Sequence, residues 1–568
     1  MPKARYDKYQ PLRNAERALN YLTSMVDRRY DFLPFWLIAA HENPAFARHC
    51  RVDDAELVAS WYEAIVSVQQ MLGTDAGSDV REGFRRHLMR SWGPHGLRFH
   101  EDYPWARTNH SSFHEMAYIL SALNRILAND GDDKAAERRA GRLVRGLRGL
   151  VIRRKTQTFW SGDFTEKRPI YEFPNDVYLR DGGWDLSCHT GRGEQSIRNA
   201  MMLHALVERY DRFGDETALD LALGTANFLL GVSRYFNWRM AFFGHIHSAV
   251  WVASGLVRLG RITGHRRYVQ KGKGIYDYVR SLSSSWGWVP EYAQWHPMTE
   301  ENNETCCIKD MIQCAGELID AGFEEYWTDL TLFSRNQLVE NQIADGGFVA
   351  VDNTIPDTPE TTWREIDRRI VGGFSGGAEP NSISLKRFRS VAGCCVGTAP
   401  QALQFVWDRS ASYRRGRLTV NVPVDRELRQ GTVAMGYPNE GVLAVTPKRR
   451  CDVAIRIHPW MPRKLEGRLA GRRKAFAVEG RLAVFRDVPR GATVELRHSL
   501  RTRRLTETVR GRKFTALMRG PDVIDLLPHG GPLRLYQRVA GRPKVCPKAP
   551  RTRTAGRGFI AAPTQQKR

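Results

Sequence analysis

The chain has 568 residues, 42% of them hydrophobic, with 15 tryptophans and a formal net charge of +24. That apolar content excludes a disordered chain, and the length exceeds one ordinary core, so two or more domains are expected. The charge invites nucleic acid, yet arginine is scattered along the chain, eight Lys or Arg residues lie beyond Gly541, and no helix-turn-helix, zinc-finger or RNP pattern occurs, so no nucleic-acid partner is expected.

No run of eighteen apolar residues occurs, and the start from Met1 to Lys8 lacks the apolar stretch of a signal peptide, which leads us to expect a cytoplasmic protein without membrane association. Nine cysteines without regular spacing fit reduced thiols rather than a disulfide framework. A homodimer is compatible with this composition.

In chain order, apolar spacing of three and four predicts helices over 14–28, 54–73, 112–129, 134–151, 195–211, 216–231, 246–262, 266–283, 306–320, 325–343 and 399–412. A unit of helix, glycine, short polar turn and helix recurs at Gly214, Gly264 and Gly322, 50 and 58 residues apart, each glycine suited to end a helix in the left-handed conformation. Antiparallel pairs at this period predict an (α/α)6 toroid over residues 1–412, with an open solenoid as the alternative. Long insertions at 153–193, 284–305 and 344–397 interrupt the series, and loops of that length are usually functional. After residue 415 short β-type runs at 418–422, 442–445, 453–457, 475–478 and 493–496 predict a β-sandwich domain over 413–540. Residues 541–568, basic and rich in Pro, Gly, Thr and Gln, are expected to form a disordered tail.

Two cysteine doublets carry the chemistry. Cys306-Cys307 follows Asn302-Asn303-Glu304-Thr305, and Cys394-Cys395 closes the third long insertion. In an extended segment Glu304 and Cys306 point the same way and can reach one ion, and the second doublet supplies two more sulfurs, enough for a four-coordinate Cys3Glu zinc site. Asn303 is placed to cap the following helix. A T-x-x-Q box at Thr398 and Gln401 predicts a second helix start, leaving Cys394 and Cys395 in the loop before it. Inner-helix N-termini of a toroid surround one mouth, where both clusters can meet. Cys307 points away from Cys306 and is expected to pack inside. Two buried apolar cysteine pairs, or a vicinal disulfide, are the competing structural readings.

Glu304-Thr305-Cys306, the long insertion, and Gly393-Cys394-Cys395 before Ala399-Pro400 resemble glycoside hydrolase family 127, the retaining β-L-arabinofuranosidases. Gly244-His245 ahead of Gly255-Leu256-Val257-Arg258-Leu259, and the late run Thr515 to Val523 with its Arg519-Gly520-Pro521 turn, are similar to that family as well. The resemblance spans roughly residues 110–527 and implies an (α/α)6 barrel followed by a β-sandwich. It implies Cys394 as nucleophile, Glu304, Cys306, Cys394 and Cys395 as Zn2+ ligands, and a glutamate before the Glu-x-Cys motif as acid/base. Glu291 is nearest, with Glu300 and Glu301 as competitors. His245 would bind sugar hydroxyls, with His247 as a rival, and an oligosaccharide or glycoside is the implied substrate. Trp295, Trp288 and Trp184 in the long loops are candidates to stack on sugar rings, and His110 and His114 flank a capping box near the same mouth. The chain departs from the family at Val396-Gly397-Thr398 and around Glu291, which bears on the sugar more than on the metal. Two other functions stay open: a metal-free (α/α)6 carbohydrate lyase or epimerase, and a non-catalytic zinc-stabilised carbohydrate-binding protein.

Overall fold

The computed structural model describes residues 9–50, 53–93, 95–106, 110–154, 168–174, 177–179, 184–185, 194–294, 302–385 and 389–538. Among them, twelve helices form six inner–outer pairs, five of them consecutive hairpins: α1 Pro11–Ser24, α2 Val58–Leu72, α3 Ser78–Met89, α4 Phe113–Asp130, α5 Lys134–Leu150, α6 Met202–Phe213, α7 Glu216–Asn227, α8 Ile246–Thr263, α9 Arg266–Leu282, α10 Thr305–Asp320, α11 Trp327–Phe333 and α12 Gly393–Ser410. The even-numbered helices pack each on the next, and α12 returns to α2, so they close a ring; the odd-numbered helices pack outside their partners. This is the expected (α/α)6 toroid. No described helix is long and apolar enough to cross a membrane.

Burial follows the ring. The outer helices α5 and α9 bury single stripes (Ala136, Ala140, Leu143, Val144, Leu147; Tyr268, Val269, Gly272, Ile275, Tyr276, Val279), whereas the inner α8 is buried on nearly every side. Gly214 and Gly264 end α6 and α8 at φ of +69° and +74°, as the repeat predicts.

Three departures have local causes. Helix α3 was not expected, because Val80, Phe84 and Leu88 are few among charged residues and Gly83 interrupts them. The helix predicted over 195–211 breaks into Glu194–Asn199 and α6, and the Asn199 amide donates to the Pro174 carbonyl at 2.6 Å. The helix predicted over 325–343 passes into a π turn at Ser334–Leu338, from which Asn336 donates to the carbonyls of Trp286 and Pro521, 3.0 Å each.

The strand-rich region begins at α12's end. One sheet has the order β1 Ala411–Arg414, β2 Arg417–Val420, β6 Cys451–Arg456, β10 Leu482–Val488, β9 Ala477–Glu479. The other runs β3 Arg426–Leu428, β4 Gly431–Met435, β5 Val442–Pro447, β11 Val494–His498, β7 Leu465–Leu469, β8 Arg472–Arg473. Alternation along β5 buries Leu443 and Val445, which join Leu418, Val453, Ile455 and Phe485 between the sheets.

A further sheet, β12 Thr502–Val509, β13 Arg512–Arg519 and β14 Asp522–Leu527, lies within the span expected for the sandwich. Its apolar residues Val509, Phe514, Ala516, Met518, Val523 and Leu526 nevertheless pack in the helical core. Buried charges fasten it there: Arg335 donates to both oxygens of Asp522 at 3.0 and 2.9 Å, and Arg538 donates to Glu340 at 2.9 Å and Asp522 at 3.3 Å. Asp522→Ala should therefore lower stability by about 3–5 kcal/mol, since it strands buried guanidinium charge; thermal unfolding of the variant checks this. The stretch 541–568 lies outside the described residues.

Candidate active site

The inner-helix N-termini meet at one mouth, and short ladders set their spacing. Gly244 and His245 pair antiparallel with Ala293 and Tyr292, clamping the chain before α8 to the loop that carries Glu291. The Ile246 amide donates to the Glu291 carbonyl at 2.9 Å, and the Glu291 amide donates to the Asn302 carbonyl at 2.8 Å. Asn303, expected to cap α10, instead gives its side-chain amide to the Val289 carbonyl, and Glu304 holds the cap position with extended backbone (φ -100°, ψ 132°). The Thr305 hydroxyl donates to the Ser375 carbonyl at 2.6 Å, drawing the third insertion beneath the helix start.

Helix α12 begins earlier than the T-x-x-Q box predicts, so Cys394 and Cys395 occupy its first turn and not the loop before it. The Thr398 hydroxyl lies inside the helix, 3.1 Å from the Cys394 carbonyl and 3.3 Å from the Cys306 sulfur. Close approach to α2 explains the early start: Trp61 donates to the Gly393 carbonyl at 2.8 Å, and a Cβ on Gly397 would stand 2.3 Å from the Ser60 hydroxyl.

These starts bring Glu304, Cys306, Cys394 and Cys395 together, their ligand atoms all within 4.8 Å of one another. Cys306 Sγ lies 3.6 Å from Cys395 Sγ, and Glu304 Oε1 lies 3.3 Å from Cys394 Sγ and 3.9 Å from Cys395 Sγ. Cys306 and Cys395 are buried, while Cys394 is partly exposed, and the described cysteines are all free thiols. Cys307 turns away, its sulfur 3.9 Å from the Glu291 carbonyl. A tetrahedral ion with Zn–S bonds of ~2.3 Å sets its sulfurs roughly 3.8 Å apart. The Cys306–Cys395 separation of 3.6 Å and the three-sulfur, one-carboxylate donor set fit such an ion.

Two carboxyl groups here are driven in opposite directions. Burial would raise Glu304, but the hydrogen bond from His245 Nε2 at 3.0 Å and the charges of His245 and His247 hold it far below the usual carboxylate range. Burial, then the Glu304 charge, pushes Glu291 up to about 8, although Arg389 donates to both its oxygens at 3.2 and 3.0 Å. His245, Glu291 and Glu304 place their polar atoms within 4.8 Å of one another. The two shifts favour an anion at Glu304 and an acid at Glu291, side by side. Among the sulfurs, burial raises Cys306, whereas at Cys395 hydrogen bonds from the Cys306 and Cys394 thiols outweigh burial and draw it down to about 6.

The imidazoles are committed to protein partners. His245 uses Nδ1 on Ser248 at 3.0 Å and Nε2 on Glu304, while His247 contacts Asp310 through Nδ1 and the Tyr118 hydroxyl through Nε2 at 3.0 Å. Neither ring keeps a nitrogen for a sugar in this arrangement. Trp288 is fully buried and donates to the Ala378 carbonyl at 2.9 Å, so it is loop core and not a stacking platform. Trp295, Glu300, Glu301 and the side chain of Trp184 lie outside the described residues.

Sequence reading missed four participants. Asp310 stands one turn beyond Cys306 on α10 and Tyr118 one turn beyond His114 on α4, spacings that were visible. Arg389 lies five residues before Cys394. Glu56, in the π turn Asp53–Leu57 ahead of α2, has no such signal; burial and the Glu115 charge push it up to about 8, and it lies 3.9 Å from His114.

No protein-family model matches the chain, and no curated protein matches it. Solved structures do. A GH127 β-L-arabinofuranosidase from Geobacillus stearothermophilus T6 aligns at 14% identity over 83% of this chain and 77% of its own, with a TM-score of 0.55. A second GH127 β-arabinofuranosidase aligns at 14% identity over 91% of this chain and 81% of its own, TM-score 0.56. A structure described as a glycoside hydrolase aligns at 12% identity over 82% and 77%, TM-score 0.56. The likeness is one of fold.

Proposed function

We propose that the chain is a zinc-dependent retaining glycoside hydrolase acting on an L-arabinofuranoside-type substrate, with Cys394 as nucleophile and Glu291 as acid/base. The observation that carries this reading is the convergence of Glu304, Cys306, Cys394 and Cys395 beside the buried Glu291, whose pKa burial pushes up to about 8. The fold shared with GH127 arabinofuranosidases supports the substrate class.

Zinc held by Glu304, Cys306, Cys394 and Cys395 would keep the Cys394 sulfur ionised near neutral pH. Cys394, the one residue of the four-residue cluster that is partly exposed, attacks the anomeric carbon and forms a C–S bond as the glycosidic C–O bond breaks. Glu291 gives its proton to the departing oxygen. The Glu291 carboxylate then takes a proton from water, whose oxygen bonds the anomeric carbon while the C–S bond breaks and the thiolate returns. Two inversions give retention. His245 orients Glu304, and Asp310 fixes the ring of His247; both histidines act as positioning residues.

Glu291→Gln tests the acid. It should slow a disaccharide substrate by about 10²–10⁴-fold and a nitrophenyl glycoside far less, because nitrophenolate departs without a proton. In the unaltered enzyme kcat/KM should fall as pH rises through about 8 and Glu291 loses its proton. A neighbouring divalent cation moves that limb only to lower pH. The limb should vanish in Glu291→Gln. Equal slowing of both substrates points to another acid, and Glu56 is the described alternative.

A further inference from the structure

The inner ring encloses a second cavity, distinct from the thiol mouth. It occupies about 280 Å³ and reaches the other end of the barrel, where Arg212, Arg261, Asp320 and Arg409 mark the C-terminal turns of α6, α8, α10 and α12. All six inner helices line it. At roughly 30 Å³ per water it has room for about nine waters, or a single sugar ring with a few.

Its lining is dense in charge but balanced. Arg212 pairs with Glu208 at 2.8 Å, Arg258 with Asp211 at 2.7 Å, Arg409 with Asp320 at 2.9 Å and Arg261 with Glu317 at 3.7 Å. Lys309 pairs with Asp310 at 3.1 Å. The guanidinium of Arg125 instead donates to amide oxygens, Gln404 at 2.6 Å and Gln70 at 3.0 Å. Burial pushes Glu63 up to about 7, so this acid gains donor character near neutrality, and burial raises Asp408 in the same direction. Cations already answered by carboxylates hold a phosphate or a metal poorly. A lining so short of apolar residues repels a lipid or an aromatic ligand.

The lining is also unsatisfied. His204 Nδ1, Trp251 Nε1, Glu317 Oε2 and Arg125 Nε are buried polar atoms without a hydrogen-bond partner, on side chains from four helices around the cavity. Unmet buried donors and acceptors are costly, and here they gather at one place. A hydroxyl group both donates and accepts, so one molecule bearing several can serve such a mixed set. We infer that this cavity is a binding site for a neutral, hydroxyl-rich molecule of monosaccharide size. The inference stands apart from the thiolate chemistry, since the cavity shares none of its residues.

The test is isothermal titration of the full chain with xylitol, and separately with sodium phosphate. Glu63→Gln keeps the shape of a lining acid, and Gln313→Leu removes an amide that lies 2.6 Å from His204 Nε2. Lys309 and Trp251 are left intact, because Lys309 holds Asp310 and Trp251 stacks on His247. We expect saturable xylitol binding, weakened about tenfold or more in both variants, and no phosphate binding, with thermal unfolding unchanged in Glu63→Gln. Absent xylitol binding in the unaltered protein overturns the inference. So does binding that both variants leave untouched, or phosphate binding without xylitol binding. Should one variant unfold, the other decides.

Discussion

Cys394→Ser should retain close to one zinc per chain yet lose turnover by about 10⁴-fold or more, the scale seen when a covalent nucleophile is removed. At 1.36 kcal/mol per tenfold that is about 5.5 kcal/mol of transition-state stabilisation. Serine keeps an oxygen where the sulfur was, and Glu304, Cys306 and Cys395 still offer three ligands. A hydroxyl beside them is a far weaker nucleophile than a thiolate. Metal analysis and kinetics on one preparation separate the two roles. A cyclic L-arabinose-type electrophile followed by peptide mapping should label Cys394 in the unaltered protein and nothing at that position in the variant. Turnover within tenfold of the parent, or a label on another residue, removes Cys394 from the chemistry.

Cys306→Ala should weaken zinc binding by more than about 100-fold, because direct ligands matter more than the outer partners whose loss costs about 10–100-fold. Activity should fall with the metal, and thermal unfolding should begin earlier, since binding energy at such a site is also folding energy. Cys307→Ala is the internal control. It removes the adjacent sulfur, which lies against the Glu291 carbonyl rather than in the cluster. Metal content after gel filtration should stay near one per chain in Cys307→Ala and collapse in Cys306→Ala. Equal retention in both variants leaves the cluster without a metal role, and full activity of a metal-free protein favours lyase or epimerase chemistry.

Much of this arrangement is legible in the sequence. The Glu304–Cys306 spacing and the second doublet named the four residues that converge, because ligand chemistry is written in residue type. Gly214 and Gly264 marked real helix ends, because a left-handed cap is a local requirement. The alternation of 442–445 marked a real strand for the same kind of reason. Helix α3 escaped because its apolar positions are few, and the start of α12 was misplaced because Thr398 and Gln401 imitate a capping box. Local pattern cannot register that Gly393 and Gly397 let a neighbouring helix approach and carry the helix upstream through both cysteines.

What the sequence alone determined is the inventory: helical hairpins, a sandwich of strands, and a set of sulfurs and carboxylates able to hold a metal. Tertiary structure decided the states of those groups. The pKa of Glu291 is pushed up and that of Glu304 down because burial and a shared field act on them unequally, and that field comes from residues far apart in the chain. The same holds for Trp288, an aromatic in a long loop that proves to be core, and for β12–β14, whose apolar residues pack among the helices. Spacing and propensity act over a few residues, whereas desolvation and charge depend on everything packed nearby.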